Sequence, residues 1–269
     1  MKRVFVSIVS ISILWSCSSS KSSVSNTETT ITEDAKLSAV IWQQTAAEYE
    51  ALCYQAFNIA RYQLMNNIQD QPDGSIKKPA VVLDLDETVL NNSPYNGWLI
   101  QNKTSYSQES WERWTMQASA SFIPGAVDFI DYARSNGFEV FFISNRSIEE
   151  LEATVKNLNK LGIDINPTHI LLKTNSSSKV ERRKKVMSNY QIVMLIGDNL
   201  ADFNNQFDDS ELDLEARKSL VEKHSDKFGT KFIVLPNVMY GNWEKALKMD
   251  NPASIQNNSE GLKRYIKGF

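Results

Sequence analysis

Four acidic residues stand in two pairs, each pair at the end of an apolar run. Asp84 and Asp86 follow Ala80-Val81-Val82-Leu83, and Asp198 and Asp202 follow Ile192-Val193-Met194-Leu195-Ile196-Gly197. A carboxylate at the end of a buried strand needs a cation or a proton to hold it there. Hard oxygen ligands supplied from two strand ends are what an octahedral Mg²⁺ accepts. Ser144 closes a third apolar run and Lys179 opens a helical pattern. The hydroxyl can hydrogen-bond a phosphoryl oxygen, and the ammonium can offset its charge.

The elements that must carry these groups alternate. Residues 80–86, 138–144, 192–198 and 232–235 are continuous apolar runs, with a shorter one at 169–172. Such runs suit parallel strands buried on both faces. Between them, residues 126–135 form a helical pattern preceded by Pro124-Gly125 and closed by Asn136-Gly137. Ser147 with Glu150 forms a capping box opening a second pattern over 148–161. The alternation predicts an open, largely parallel α/β sheet flanked by helices, with ligands at the C-terminal ends of its strands. A helical segment at 34–78, with its regular part at 34–67, precedes the first strand. A tryptophan-rich insertion at 90–122 follows that strand, and the two read as a smaller helical and loop cap layer over the site.

The remaining features narrow the class of protein. The chain has 269 residues, 42% hydrophobic and 23% charged, which excludes collagen-like, coiled-coil and wholly disordered readings. Its formal charge is −3, and loss of Lys2 and Arg3 takes it to −5, so no nucleic-acid partner is expected. Residues 1–16 read as a signal peptide, because the apolar stretch after Lys2 and Arg3 is too short to span a bilayer. Residues 17–33 read as Cys17 followed by a disordered, serine-rich tether. Cys53 is the only other cysteine and lies on an apolar helical face with Trp42, Ala46, Tyr49 and Ala56, so its role is packing. The basic run Arg182-Arg183-Lys184-Lys185 reads as a solvated helix face. His169 and His224 lie outside every motif, and neither looks like a catalytic nucleophile.

The stretch Asp84-Leu85-Asp86-Glu87-Thr88-Val89-Leu90-Asn91-Asn92-Ser93 and the stretch Gly197-Asp198-Asn199-Leu200-Ala201-Asp202-Phe203 resemble the haloacid dehalogenase (HAD) superfamily. Within it, they are similar to the class C acid phosphatases, the lipoprotein 5′-nucleotidase family. Ser144-Asn145-Arg146, Lys179 and the run from Pro236 to Trp243 extend the likeness. Leu14-Trp15-Ser16-Cys17 resembles a bacterial lipobox, with the bulky Trp15 a departure at a loosely specified position. The resemblance implies a HAD-like Rossmannoid domain over 34–269 and a lipid-anchored protein of the bacterial cell envelope, on the outer membrane. It also leaves a homodimer open.

The same resemblance implies roles. Mg²⁺ is held by Asp84, the backbone carbonyl of Asp86, Asp198 and Asp202. Asp84 is the nucleophile, and Asp86 is the acid and then the base. Ser144 and Lys179 stabilise the transferring phosphoryl. Trp111 and Tyr240 fall where the family presents aromatics to a nucleobase, and planar rings stack on any base. Asn145 and Arg146 line the pocket, while Trp98, Trp114 and Trp243 are packing residues. The expected substrates are nucleoside monophosphates and related small phosphomonoesters. Two other readings use the same sequence: a phosphotransferase working through this site, and a catalytically silent binding or adhesive lipoprotein.

Overall fold

The structure is a computed structural model and describes residues 33–69, 77–209, 211–250 and 265–268. Residues 1–16, read above as a signal peptide, Cys17, and most of the stretch read as a tether lie outside the described residues. Five strands form one sheet: β1 (Lys78–Leu83), β4 (Glu139–Ser147), β5 (Ile170–Lys173), β6 (Tyr190–Gly197) and β7 (Phe232–Val234), in the order β5-β4-β1-β6-β7. Every pairing is parallel. The short β2 (Leu90–Asn91) and β3 (Ser121–Phe122) make a separate antiparallel ribbon. Nine helices accompany them among the described residues: α1 (Glu33–Thr45), α2 (Ala47–Gln69), α3 (Ser93–Gln101), α4 (Gln108–Thr115), α5 (Ala126–Ser135), α6 (Leu151–Lys160), α7 (Val180–Asn189), α8 (Leu214–Lys223) and α9 (Asn242–Asp250). The open parallel α/β sheet expected from the alternating pattern is therefore present.

The period-two geometry of a strand explains why both faces of the sheet are apolar. Val81 and Leu83 of β1, Val140 and Phe142 of β4, and Met194 and Ile196 of β6 point to one side. There they meet Phe57 and Leu64 of α2, Phe129 and Ile130 of α5, and Leu158 of α6. Ala80, Val82, Phe141, Ile143 and Leu195 point to the other and pack with Val186 of α7, Phe203 and Phe232. Cys53 is wholly buried in the first layer, as its helical spacing predicts, and burial raises its thiol to about 11.

Two boundaries differ from the sequence expectation. The helical segment at 34–67 is two helices, because the chain breaks at Ala46 between α1 and α2. No glycine or proline marks that break. Strand β1 ends at Leu83 rather than at Asp86. Asp84 still donates its N–H to Ile196 O at 2.9 Å, and then the chain turns so that Leu85 O accepts from Val89 N and Leu90 N, each at 2.8 Å.

The insertion between β1 and α5 leaves and returns at one place, since Leu90 pairs with Phe122 and Asn91 with Ser121. Its far end is bolted to α6. Asn157 donates Nδ2 to Ala120 O at 2.8 Å and accepts from Ala120 N at 3.0 Å, and Lys160 Nζ donates to Ala118 O at 2.7 Å. Its near end is held by Trp114, whose Nε1 donates to Asn92 Oδ1 at 2.8 Å.

Candidate active site

Asp84 leaves the end of β1, Ser144 sits within β4, Asp198 follows the end of β6, and Lys179 caps α7. Because β1 lies between β4 and β6, these ends converge on one edge of the sheet. Carboxylate oxygens of Asp84, Asp198 and Asp202 lie within 4.8 Å of one another. Lys179 Nζ is the cation among them, donating to Asp84 Oδ1 and lying 2.6 Å from Asp202 Oδ1. Three nearby carboxylates against one ammonium leave the cluster short of positive charge.

Each acid is aimed by its own set of donors. Asp198 accepts from Asn237 Nδ2 at 2.8 Å and from Thr88 Oγ1 at 3.2 Å. Asp202 closes a tight turn over Leu200–Asp202, its Oδ2 accepting from Asn199 N at 2.9 Å. Asp86 lies apart from the triad in a cradle of donors. Arg146 Nη2 donates to its Oδ1 at 2.8 Å and Arg146 Nε at 3.0 Å, Asn92 Nδ2 donates at 2.9 Å, and Ser144 Oγ donates to its Oδ2 at 3.2 Å. Ser144 and Arg146 thus meet the site through Asp86, and the Arg146 fork is only 2% exposed. Asn145, between them on β4, is exposed.

The two aromatics singled out for a base have different partners. Trp111 lies on α4 with its ring centroid 5.9 Å from the Arg146 guanidinium carbon and 5.2 Å from the Tyr95 ring. Tyr240 donates its hydroxyl to Glu87 Oε2. Tyr106, which the sequence reading passed over, is an exposed ring 6.4 Å from Trp111. Trp98 stacks on Tyr95 and carries Arg113 over its ring, a packing role as expected. His169 and His224 are satisfied away from the site, by Val140 O and by Gln206 Oε1.

Sequence reasoning missed Glu87, Asn92 and Arg183. Glu87 is fully buried and adopts φ 58°, a left-handed conformation that side chains other than glycine rarely take. It is held there by Asn92 N, which donates to its Oε1 at 2.8 Å, and by Tyr240. Asn92 is a hub, contacting Asp86, Glu87 and Trp114 with one amide. The solvated face assigned to 182–185 needs correction. Lys184 and Lys185 are exposed, but Arg183 is buried and Arg182 is half-buried against Ser144 O and Asn145 Oδ1. Backbone carbonyls left open at the ends of two loops draw these guanidinium groups inward, and residue type alone does not reveal such acceptors.

Burial sets the titration of the cluster. It raises Asp198 to about 7, with Asp202 adding to the effect and Asn237 opposing it. Burial also raises Asp84 well above the usual carboxylate range, against the pull of Lys179. For Lys179 burial works against the charge, but Asp202 and Asp84 together outweigh it and its pKa rises. The three carboxylates lie close enough together that one hard cation could be shared among them.

An open parallel sheet with an aspartate beyond its central strand, a serine on one neighbouring strand, further acids beyond the other and a lysine at a helix start defines a HAD-like phosphoryl-handling fold. The chain belongs to the HAD superfamily, subfamily IIIB (acid phosphatase), whose family model matches residues 2–243. Among solved structures it is similar to the class C acid phosphatase of Bacillus anthracis, with 38% identity, a TM-score of 0.79, and coverage of 88% of this chain and 98% of that one. The same protein with tungstate bound gives 37% identity and a TM-score of 0.77, covering 88% and 98%. Curated relatives are more distant. A stem 31 kDa glycoprotein of Glycine max is 25% identical over 131 residues, 45% of this chain and 50% of that protein. Acid phosphatase 1 of Solanum lycopersicum is 26% identical over 130 residues, 45% of this chain and 50% of that protein. The chain spans about half the length of these curated relatives.

Two outcomes follow from the site itself. A Cβ at Gly197 would meet Asp202 Oδ2 at 2.3 Å, so Gly197→Ala should displace that carboxylate and weaken divalent-cation binding by about tenfold or more in calorimetry. Cation binding as tight as in the wild type would show that Asp202 is not needed in place. The second concerns pH. Asp198 keeps its proton in the folded chain up to about pH 7 but loses it near 4 when unfolded, so between those values the folded state binds the extra proton. Stability without added cation should therefore fall as pH rises from about 4 to about 7, followed by urea midpoints. A divalent cation should recover more of it at pH 7 than at pH 5.

Proposed function

We propose that this chain is a Mg²⁺-dependent phosphomonoesterase that hydrolyses nucleoside monophosphates and small phosphomonoesters through a phosphorylated aspartate. The observation that carries this reading is the triad of Asp84, Asp198 and Asp202 with Lys179 among them, set beside an Asp86 that is paired separately. The donor set suits a hard dication, since it is all carboxylate oxygen and carries excess negative charge. Mg²⁺ held by Asp84, Asp198, Asp202 and the Asp86 carbonyl would lower the repulsion between a phosphate dianion and an attacking carboxylate.

The steps belong to the chain's own groups. An Asp84 oxygen attacks phosphorus while the bond to the leaving oxygen breaks, and Asp86 gives that oxygen its proton. Water then attacks the aspartyl-phosphate, Asp86 takes the water's proton, and Asp84 and inorganic phosphate are released. Lys179 balances charge on the phosphoryl oxygens, and Ser144 turns its hydroxyl from Asp86 towards them. Arg146 and Asn92 hold the Asp86 carboxylate in line with the leaving group. Trp111, beside the exposed Tyr106, and Tyr240 offer flat surfaces to a base, which supports nucleotides as substrates. The B. anthracis structure described with tungstate bound supports a tetrahedral oxyanion subsite.

The enclosing proposal is an envelope lipoprotein anchored through Cys17 to the bacterial outer membrane, supported by the lipobox-like residues 14–17. Asp84→Asn should cut phosphate release from a nucleoside 5′-monophosphate by at least about 10³-fold with the thermal midpoint retained. Unchanged release would remove Asp84 as nucleophile, and transfer to an added alcohol in excess of free phosphate would favour the phosphotransferase reading. Cys17→Ser should move the protein from the membrane fraction to the soluble fraction with turnover intact. Retention in the membrane would point instead to residues 4–13 as an uncleaved anchor.

A further inference from the structure

The first turn of α7 presents three cations to three different parts of the site. Lys179 lies between Asp84 and Asp202. Arg182 turns towards β4, donating Nη1 to Ser144 O and Nη2 to Asn145 Oδ1, and it also takes Ser178 O at 3.0 Å. Arg183 turns the opposite way. Its Nη1 donates to Ala201 O at 3.0 Å and to Asp202 O at 3.1 Å, and its Nη2 donates to Asn205 Oδ1 at 3.1 Å. Among the described residues, neither guanidinium donates a hydrogen bond to a carboxylate. Both spend their donors on the backbone carbonyls and amide oxygens that close the two site loops.

A guanidinium presents its donors as a rigid planar fork, so several acceptors bound at once fix the loop that carries them. Ala201 O and Asp202 O are the carbonyls at the end of the tight turn whose last side chain is Asp202, so capping them fixes where the Asp202 carboxylate stands. Ser144 O belongs to the residue whose hydroxyl reaches Asp86. We infer that Arg182 and Arg183 are positioning residues acting separately: Arg183 sets the cation-ligating half of the site through Asp202, and Arg182 sets the phosphoryl-contacting half through Ser144. The inference rests on the cation-dependent reading given above.

Charge and position make opposite forecasts for Arg183, and that decides the test. Removing a positive charge near a dication tightens binding if only Coulomb repulsion between them acts. Removing a clamp on a ligand weakens it, typically by ten- to a hundredfold for groups that orient a metal ligand. Calorimetric titration of the full chain with Mg²⁺ alone should show Arg183→Met binding about tenfold or more weakly than wild type. Arg183→Lys, which keeps the charge but not the fork, should fail to restore it. With Mg²⁺ saturating, inorganic phosphate should bind both variants as it binds the wild type.

Arg182→Lys should show the reverse split, with Mg²⁺ affinity retained and phosphate affinity lost. If the buried Arg183 variants do not fold, Asn205→Ala, which removes one exposed acceptor of the fork, should still weaken Mg²⁺ in the same direction. Tighter or equal Mg²⁺ binding by folded Arg183→Met would overturn the inference, as would both constants moving together in either arginine variant. A wild-type chain that binds no Mg²⁺ would instead sink the cation-dependent reading.

Discussion

Buried negative charge at one end of the sheet is the constraint on which the rest of this structure depends. Carboxylate oxygens of Asp84, Asp198 and Asp202 are brought within 4.8 Å of one another, and among the described residues Lys179 is the cation paired with them. Coulomb repulsion among desolvated carboxylates is strong, and a protein keeps such a cluster only where the surrounding structure holds every member. Here the holding is distributed. Asn237 and Thr88 aim Asp198, Asn199 aims Asp202, and the helix that bears Lys179 also bears the arginines that cap the loops on either side. The charge that the cluster lacks is the charge that the proposed chemistry brings.

Asp86 stands outside that arrangement although it is two residues from Asp84. The turn after β1 separates them, because β1 stops at Leu83 and Leu85 O gathers the N–H groups of the following residues. One carboxylate then joins the cation cluster, and the other is taken by Arg146, Asn92 and Ser144. Two acids of the same type are given different surroundings, and that difference is what the proposed nucleophilic and proton-transfer roles require. Glu87, in its left-handed conformation, completes the turn and ties it to Tyr240.

The parts of the fold governed by local pattern were legible. Continuous apolar runs located all five strands of the sheet, and glycines flanking residues 126–135 bounded α5. Asp84, Asp198 and Lys179 were legible because each follows a strand or caps a helix, a context that residue type and position reveal together, whereas Ser144, expected at a strand end, lies inside β4. What could not be read depends on partners distant in sequence. Arg183 looks like one more charge in a basic run until the carbonyls of Ala201 and Asp202 come to meet it, and nothing in a glutamate announces that Glu87 will adopt φ 58°. The break at Ala46 was equally silent, since no residue there disfavours a helix.

The ribbon of Leu90–Asn91 with Ser121–Phe122 has a consequence for how the insertion is mounted. It pinches the insertion shut at its base, while Asn157 and Lys160 fasten one end to α6 and Trp114 fastens the other to the loop after β1. These fastenings lie at the root of the insertion, beside the ribbon, so α3 and α4 rise from a stem joined to the helices of the sheet, and that stem carries Trp111 beside Arg146.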